Sequence, residues 1–154
     1  EGTDNPLFDD AYACFRQHYL KHNLDTTAPY EGVMPMLKEL KKRGKNIAVV
    51  SNKFYAATQE LCRHFFGEYV AVAIGERAAP TKAMALPDTV EEALRQLGAS
   101  RDGAVYIGDS DVDIETARNC NMPCVSVLWG FRSRNFLIEH GAQRLVETPE
   151  EILL

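Results

Sequence analysis

The amino-acid sequence predicts an α/β domain with a doubly wound, Rossmann-like parallel sheet. Short apolar runs alternate along the chain with segments whose apolar residues recur at helical spacing. The apolar runs are nearly continuous, which is typical of parallel strands that are covered on both faces. With 154 residues, of which 45% are hydrophobic and 25% charged, the chain has the composition of one ordinary globular domain with a core of its own.

Two helices are predicted ahead of the first strand. The first begins near Pro6, a residue suited to a first helical turn, and its aromatic residues recur along one face: Phe8, Tyr12, Phe15 and Tyr19. Such a broad apolar face requires a partner surface. After a polar break, apolar residues between Val33 and Leu40 predict a second helix that stops at Gly44.

Four apolar runs follow, and we interpret them as strands. They are residues 46–50, 69–74, 104–107 and 124–128. The helices that follow them are one containing Leu61 and Phe65 and those at residues 88–97, 111–119 and 133–140. An irregular stretch at residues 75–80 separates the second run from its helix. The pattern ends with an edge strand at residues 144–146 and a turn at residues 149–153.

Charge and hydropathy exclude two classes of partner. Seventeen Lys and Arg against 22 Asp and Glu give a net charge of -5, without the basic block that a nucleic-acid binder uses on the phosphate backbone. No apolar stretch reaches the roughly 18 residues that a membrane span requires. Residues 1–10 also lack the basic start and apolar core of a signal peptide. We therefore expect a cytoplasmic protein with neither nucleic acid nor membrane as partner, and the sequence leaves its oligomeric state open.

Polar residues that follow three of the predicted strands are the candidate site. Ligands of open α/β sheets bind beyond the carboxyl ends of the strands. The residues found there are Ser51, Asn52, Lys82, Asp109, Asp111 and Asp113. A hydroxyl, an ammonium and several carboxylates at one sheet edge suit a phosphate that is held by donors beside a hard cation that is held by oxygens.

Each of these signals has a structural alternative when it is taken alone. Ser51 after a strand can serve as a helix N-cap, because its oxygen can accept from amides of the next turn. Lys82 can be a solvated loop residue. The acidic cluster around Asp109 can be a capped helix start whose carboxylates favour the positive end of the helix dipole.

Taken in this order, the residues resemble the motifs of the haloacid dehalogenase superfamily. Residues 49–53, Val-Val-Ser-Asn-Lys, resemble its second motif, whose Ser or Thr binds the transferring phosphoryl group. Lys82 resembles the lysine of its third motif, which neutralises phosphate and nucleophile charge. Residues 105–113 resemble its fourth motif, in which the first and last Asp of Gly-Asp-x-x-x-Asp serve magnesium directly or through water; here these are Asp109 and Asp113.

Within the superfamily the sequence is most similar to phosphoglycolate phosphatase and its relatives. The similarity rests on Tyr-Glu-Gly-Val at residues 30–33, Gly-Glu-Arg at residues 75–77 and Trp-Gly-Phe-Arg at residues 129–132. It extends over nearly the whole chain, from about Phe8 to Leu153. The resemblance implies a Mg²⁺-dependent hydrolase of a small phosphorylated metabolite that acts through an aspartyl-phosphate. It assigns Ser51, Asn52 and Lys82 to phosphate, with Ser51 and Lys82 catalytic, and Asp109 and Asp113 to the metal.

The sequence departs from the family pattern at two places. The family lysine is usually followed at once by proline, whereas residues 83–86 separate Lys82 from the next proline. The family also begins with a strand that ends in Asp-x-Asp-Gly, which supplies the nucleophile and the general acid, and no such segment occurs among these 154 residues. We therefore expect that the isolated chain has negligible phosphatase activity.

The missing segment implies a domain division and a gap in the sheet. Residues 1–27 would be the remnant of a helical cap, and residues 28–154 an incomplete core without its first central strand. By resemblance, that strand lies between the strand ending at Ser51 and the strand ending at Asp109. Its loss leaves two inner strands without ladder partners unless they close the gap and pair directly.

One alternative to a phosphatase fragment remains, and two others lack the motif that they require. The first is a non-catalytic phosphate-binding, metal-binding or protein-interaction domain that kept the fold and lost the nucleophile, and an upstream coding sequence for Asp-x-Asp-Gly would argue against it. A phospho-accepting receiver needs an acidic pair after its first strand, which residues 48–52 lack. A dinucleotide-binding domain needs Gly-x-Gly-x-x-Gly after a strand, and none is present.

Overall fold

The computed structural model describes residues 5–76 and 87–154. In that part of the chain the helices are α1 (Phe8–His22), α2 (Val33–Lys42), α3 (Tyr55–Phe66), α4 (Pro87–Leu97), α5 (Asp111–Asn119) and α6 (Arg134–Glu139). The strands are β1 (Ala48–Phe54), β2 (Val72–Glu76), β3 (Tyr106–Gly108), β4 (Cys124–Val127) and β5 (Arg144–Val146). Short 3-10 turns occupy Arg101–Gly103 and Pro149–Leu153. The predicted alternation of strands and helices is confirmed. None of the described helices is both long and apolar enough to cross a bilayer.

The strands pair in parallel, as predicted, but they form two separate ladders. β1 pairs with β2, and β4 lies between β3 and β5. In the two described ranges, no ladder joins β1 to β3. The two inner strands therefore do not close the predicted gap by pairing with each other.

The strands that border this gap are less buried than their neighbours. The first four residues of β1, residues 48–51, are only half-buried, whereas β2 and β4 each have three buried residues. On the β3 side, Val105 and Ile107 keep 49% and 39% of their surface exposed. Apolar residues of a central parallel strand are normally covered on both faces. The exposure therefore shows that β1 and β3 are incompletely covered.

Helix α4 packs against both ladders and relates them to each other. Its Ala93 packs with Val72 and Ile74 of β2. Its Val90 and Leu94 form a second cluster with Cys120, against which Val50 of β1 and Tyr106 of β3 pack. Because full burial of a Val or Leu side chain contributes about 1.5 to 3 kcal/mol, Val90 and Leu94 help to hold the two ladders against this helix.

The first two strands end later than the sequence indicates. β1 continues through Ser51 to Phe54, with an irregular register against β2 between Val50 and Phe54. β2 includes Gly75 and Glu76, so the interpretation of these two residues as irregular loop is wrong. The extension of β1 follows from a tertiary contact, since the Phe54 ring packs against α1.

Three aromatic residues of α1 pack against the ring of Phe54. The ring centroids of Tyr12, Phe15 and Tyr19 lie 5.8, 6.0 and 6.0 Å from that of Phe54. The Arg16 guanidinium lies 5.8 Å from the centroid of the same ring. No residue of α1 is fully buried. The attachment of α1 to the rest of the fold therefore depends strongly on Phe54.

Replacement of Phe54 by Ala is expected to lower the free energy of unfolding by about 1 to 2 kcal/mol and to release α1, because three edge or tilted ring contacts and a cation–π contact are lost. Urea denaturation and limited proteolysis within α1 measure the two effects. Leu7→Ala is the control, since 67% of that residue is exposed. Proteolysis of α1 at the wild-type rate in Phe54→Ala would contradict the expectation.

Candidate functional site

The turn from β3 into α5 is closed by the carboxylate of Asp113. Its Oδ2 accepts hydrogen bonds from the backbone N–H groups of Asp109 and Ser110, both at 3.0 Å, and from the Ser110 hydroxyl at 2.6 Å. Ser110 and Asp113 also form a capping box at the start of α5. Carboxylates in the first turn favour the positive end of the helix dipole. The turn therefore holds the backbone of Asp109 firmly in place.

Gly108 allows the strand and the helix to approach this closely. A Cβ at that position would lie 2.6 Å from Asp113 Oδ2 and closer still to Cβ and Cγ of Asp113. Any side chain would displace the carboxylate that closes the turn. The requirement for glycine is steric.

Asp109 is half-buried and is oriented from the loop that follows β4. The backbone N–H of Phe131 donates to Asp109 Oδ2 at 2.8 Å. A Cβ at Gly130 would lie 2.6 Å from Asp109 Cγ, so only glycine permits the loop to lie against this carboxylate. The neighbouring strands β3 and β4 thus supply the carboxylate and the group that orients it.

Arg132 anchors the loop that contacts Asp109. Its Nε donates to Asp111 Oδ1 at 3.2 Å, and its guanidinium carbon lies 4.9 Å from the Phe131 ring centroid and 4.4 Å from that of Phe136. Sequence reasoning used residues 129–132 as part of a resemblance and assigned them no role. The available signal was a glycine directly after an apolar strand, in a position where a backbone can approach a side chain closely.

Tyr106 begins β3 and packs against the cluster of Val90, Leu94 and Cys120. Burial, followed by the charge of Asp113 and a hydrogen bond to it, raises the pKa of the Tyr106 phenol well above its usual range.

Ser51 and Asn52 lie near the carboxyl end of β1, in the other ladder. Ser51 is half-buried and its Oγ accepts from the backbone N–H of Lys53 at 3.2 Å, while Asn52 is exposed. Ser51 is not the N-cap of the following helix, because β1 continues past it and α3 begins at Tyr55. That structural alternative is wrong. Lys82 lies outside the described residues.

The structure therefore brings Asp109 and Asp113 together in one turn. The interpretation of the acidic cluster as a capped helix start is confirmed for Ser110 and Asp113. It does not account for Asp109, which precedes the capping residue and is oriented by Phe131.

The carboxylate of Asp109 fits a magnesium ion as one part of its ligand shell. Mg²⁺ prefers oxygen ligands and is commonly held by one or two carboxylates, with waters and phosphate oxygens completing the shell. Asp109 Oδ2 accepts from Phe131, an arrangement that leaves a fixed carboxylate at the end of β3. Within residues 5–76 and 87–154, no group of three or more His, Cys, Asp or Glu side chains is arranged to hold a metal ion by itself. Further ligands would thus come from water, phosphate or other residues.

Known proteins share this sequence pattern and this fold. Residues 3–127 match the family profile described as haloacid dehalogenase-like hydrolase. A phosphoglycolate phosphatase of Rhodobacter capsulatus is 34% identical over 133 residues, 86% of this chain and 59% of that protein. The pyrophosphatase PpaX of Listeria monocytogenes serotype 4a is 27% identical over 150 residues, 94% of this chain and 67% of that protein.

A solved structure extends the likeness to three dimensions. A protein of Lactobacillus delbrueckii subsp. bulgaricus, provisionally assigned as a phosphoglycolate phosphatase, superimposes with a TM-score of 0.87 at 39% identity. The match covers 94% of this chain and 60% of that one. The chain spans 59% of the Rhodobacter capsulatus protein and 57% of a phosphoglycolate phosphatase of Aquifex aeolicus, to which it is 30% identical over 123 residues. On the family profile and the shared fold, the chain belongs to the haloacid dehalogenase-like hydrolase family.

Proposed function

We propose that this chain forms the phosphate-binding and magnesium-binding side of a phosphomonoester hydrolase of the phosphoglycolate phosphatase type. The observation that carries the proposal is the fixed carboxylate of Asp109 at the end of β3, oriented by the Phe131 N–H. A carboxylate held in this way does not have to be ordered when a cation binds, which favours affinity.

The proposed roles follow from the chemistry of each side chain. Asp109 binds Mg²⁺ directly, and Asp113 serves it directly or through water while its Oδ2 holds the turn. Ser51 and Asn52 donate hydrogen bonds to phosphate oxygens, and the ammonium of Lys82 offsets phosphate charge. Bound magnesium supplies the positive charge that stabilises a transferring phosphoryl group.

The attacking group lies outside these residues in the proposal. In the complete enzyme an aspartate oxygen would attack phosphorus, the alcohol would leave with a proton from a second carboxyl group, and water would hydrolyse the aspartyl-phosphate. We place the strand that carries this aspartate between β1 and β3. The separate ladders and the exposure of Val105 and Ile107 support that placement. In the same proposal, residues 1–27 belong to a helical cap and residues 28–154 to the core.

The substrate class is a small phosphorylated metabolite. Two relatives are phosphoglycolate phosphatases and a third is a pyrophosphatase, so 2-phosphoglycolate and pyrophosphate are the first compounds to compare. The higher identity of the first group favours 2-phosphoglycolate.

Phosphate release by the full-length gene product, with all sequence encoded upstream of Glu1, tests the proposal. We expect Mg²⁺-dependent hydrolysis of 2-phosphoglycolate with kcat/KM at least about tenfold above that for pyrophosphate, a difference of roughly 1.4 kcal/mol in transition-state binding. EDTA should abolish the activity and added Mg²⁺ should restore it. The isolated 154-residue chain should show negligible turnover of p-nitrophenyl phosphate. Hydrolysis that EDTA leaves unchanged, or no hydrolysis of any phosphomonoester, would refute the proposed function.

A non-catalytic phosphate-binding, metal-binding or protein-interaction domain is the second candidate. It applies if no strand ending in Asp-x-Asp-Gly precedes these 154 residues. The coding sequence upstream of Glu1 discriminates the two, because such a strand encoded there supports the enzyme.

A further inference from the structure

The loop after β4 is the structural feature that the proposed roles leave unexplained. Its Phe131 N–H is the group that orients Asp109, and a backbone N–H can do so only while the loop keeps its position. Phe131 itself is 77% exposed, so burial of its own side chain does not hold the loop there. Another residue must supply the anchor.

Arg132 provides that anchor through one contact with each of two helices and one within the loop. Its Nε donates to Asp111 in the first turn of α5, and its guanidinium lies over the rings of Phe131 and Phe136. The guanidinium is thus placed between the loop, α5 and α6. Arginine is suited to this arrangement because its plane stacks on rings while its N–H groups point outward in a fixed fork.

We propose that Arg132 is a positioning residue for the cation site: it holds the loop so that the Phe131 N–H fixes the carboxylate of Asp109 for metal binding. This inference rests on the proposed function, because it assumes that Asp109 binds the cation. Arg132 itself touches neither metal nor substrate in the proposal. Its effect is transmitted through one loop and one hydrogen bond.

The direction in which cation affinity changes distinguishes positioning by Arg132 from a direct effect of its charge. Arg132 places a positive charge near the proposed cation, so its removal should strengthen cation binding if charge alone mattered. Loss of positioning acts in the opposite direction, because Asp109 becomes free to rotate and must be ordered when the cation binds. A weaker affinity after removal of a cationic side chain is therefore diagnostic of positioning.

The test is Mn²⁺ binding to the purified full-length gene product, measured by electron paramagnetic resonance of free Mn²⁺, with Mg²⁺ as competitor. We expect Arg132→Ala to raise the Mn²⁺ Kd about tenfold, the low end of the range for residues that orient a metal ligand. Arg132→Lys keeps the charge but not the planar stacking, and we expect it to raise the Kd by a smaller factor.

Two control variants make the result interpretable. Arg134→Ala removes an arginine two positions away, which is paired with Glu147 at 2.5 Å, and should leave the Kd unchanged. Asp109→Ala should abolish binding. Melting temperatures establish that each variant is folded. If Arg132→Ala does not fold, the Mn²⁺ Kd of Arg132→Lys decides whether the positioning role stands.

The outcomes separate the inference from the proposed function. If Asp109→Ala abolishes binding while Arg132→Ala and Arg132→Lys bind Mn²⁺ as tightly as the wild type or tighter, the positioning role is refuted and the metal site stands. An equal loss in Arg134→Ala also refutes it, since the effect would then be general. If Asp109→Ala binds as well as the wild type, or the wild type does not bind, the proposed function and the inference fall together.

Discussion

Replacement of Asp109 by Ala is expected to lower kcat/KM of the full-length gene product at saturating Mg²⁺ by about a thousandfold, equivalent to roughly 4 kcal/mol of transition-state stabilisation. The physical reason is the loss of a carboxylate that the Phe131 N–H orients at the end of β3. The fold should survive, because the Asp109 side chain accepts a hydrogen bond from an exposed loop residue and lies outside the buried clusters. Steady-state phosphate release and circular dichroism measure the two effects.

Asp102 offers a matched control for the Asp109 variant. It lies exposed in the 3-10 turn Arg101–Gly103 ahead of β3, at the other end of the strand from Asp109, so Asp102→Ala removes the same charge without affecting the site. We expect kcat/KM within about twofold of wild type, as for most surface substitutions. A folded Asp109→Ala variant with the activity of the Asp102→Ala variant would show that Asp109 does not bind the essential metal.

Local sequence signals sufficed to predict those parts of the fold that depend on local interactions. The bounds of α5 and β5 agree with the prediction, because capping and turn residues close to each element determine where it begins and ends. Ser110 and Asp113, for instance, cap α5. The end of β1 could not be predicted in this way. It extends to Phe54 because that ring packs against α1, a helix some forty residues earlier in the chain, and a propensity argument contains no such contact.

The candidate site likewise combines contacts that depend on nearby residues with contacts that depend on the tertiary fold. Asp109 and Asp113 come together because they share one turn, so their spacing alone predicts their proximity. The contact between Phe131 and Asp109 depends on the pairing of β3 with β4 and on the space left by a glycine. Neither feature is visible in the spacing of polar residues. The relation of Ser51 to Asp109 is of a third kind, since it depends on the packing of α4 across two ladders.

Gly108→Ala should be the most destabilising substitution in the β3–α5 turn, with a loss of about 3 kcal/mol in the free energy of unfolding. The added methyl group would lie 2.6 Å from Asp113 Oδ2 and nearer to the Asp113 Cβ. The carboxylate would have to move, and the bonds that it accepts from Asp109 and Ser110 would break. Urea denaturation measures the loss.

A double-mutant cycle separates this steric conflict from a general effect of alanine. Asp113→Gly alone should be destabilising because it removes the capping box, but in the double variant Gly108→Ala/Asp113→Gly the overlap no longer exists. The double variant should therefore be more stable than the sum of the single losses predicts, by at least about 1 kcal/mol, as expected for residues in direct contact. Gly103→Ala is the control for the alanine itself, since a Cβ there meets nothing within 4 Å. Additive losses in the cycle would show that the turn relaxes around the methyl group, and the requirement for glycine at position 108 would then not be steric.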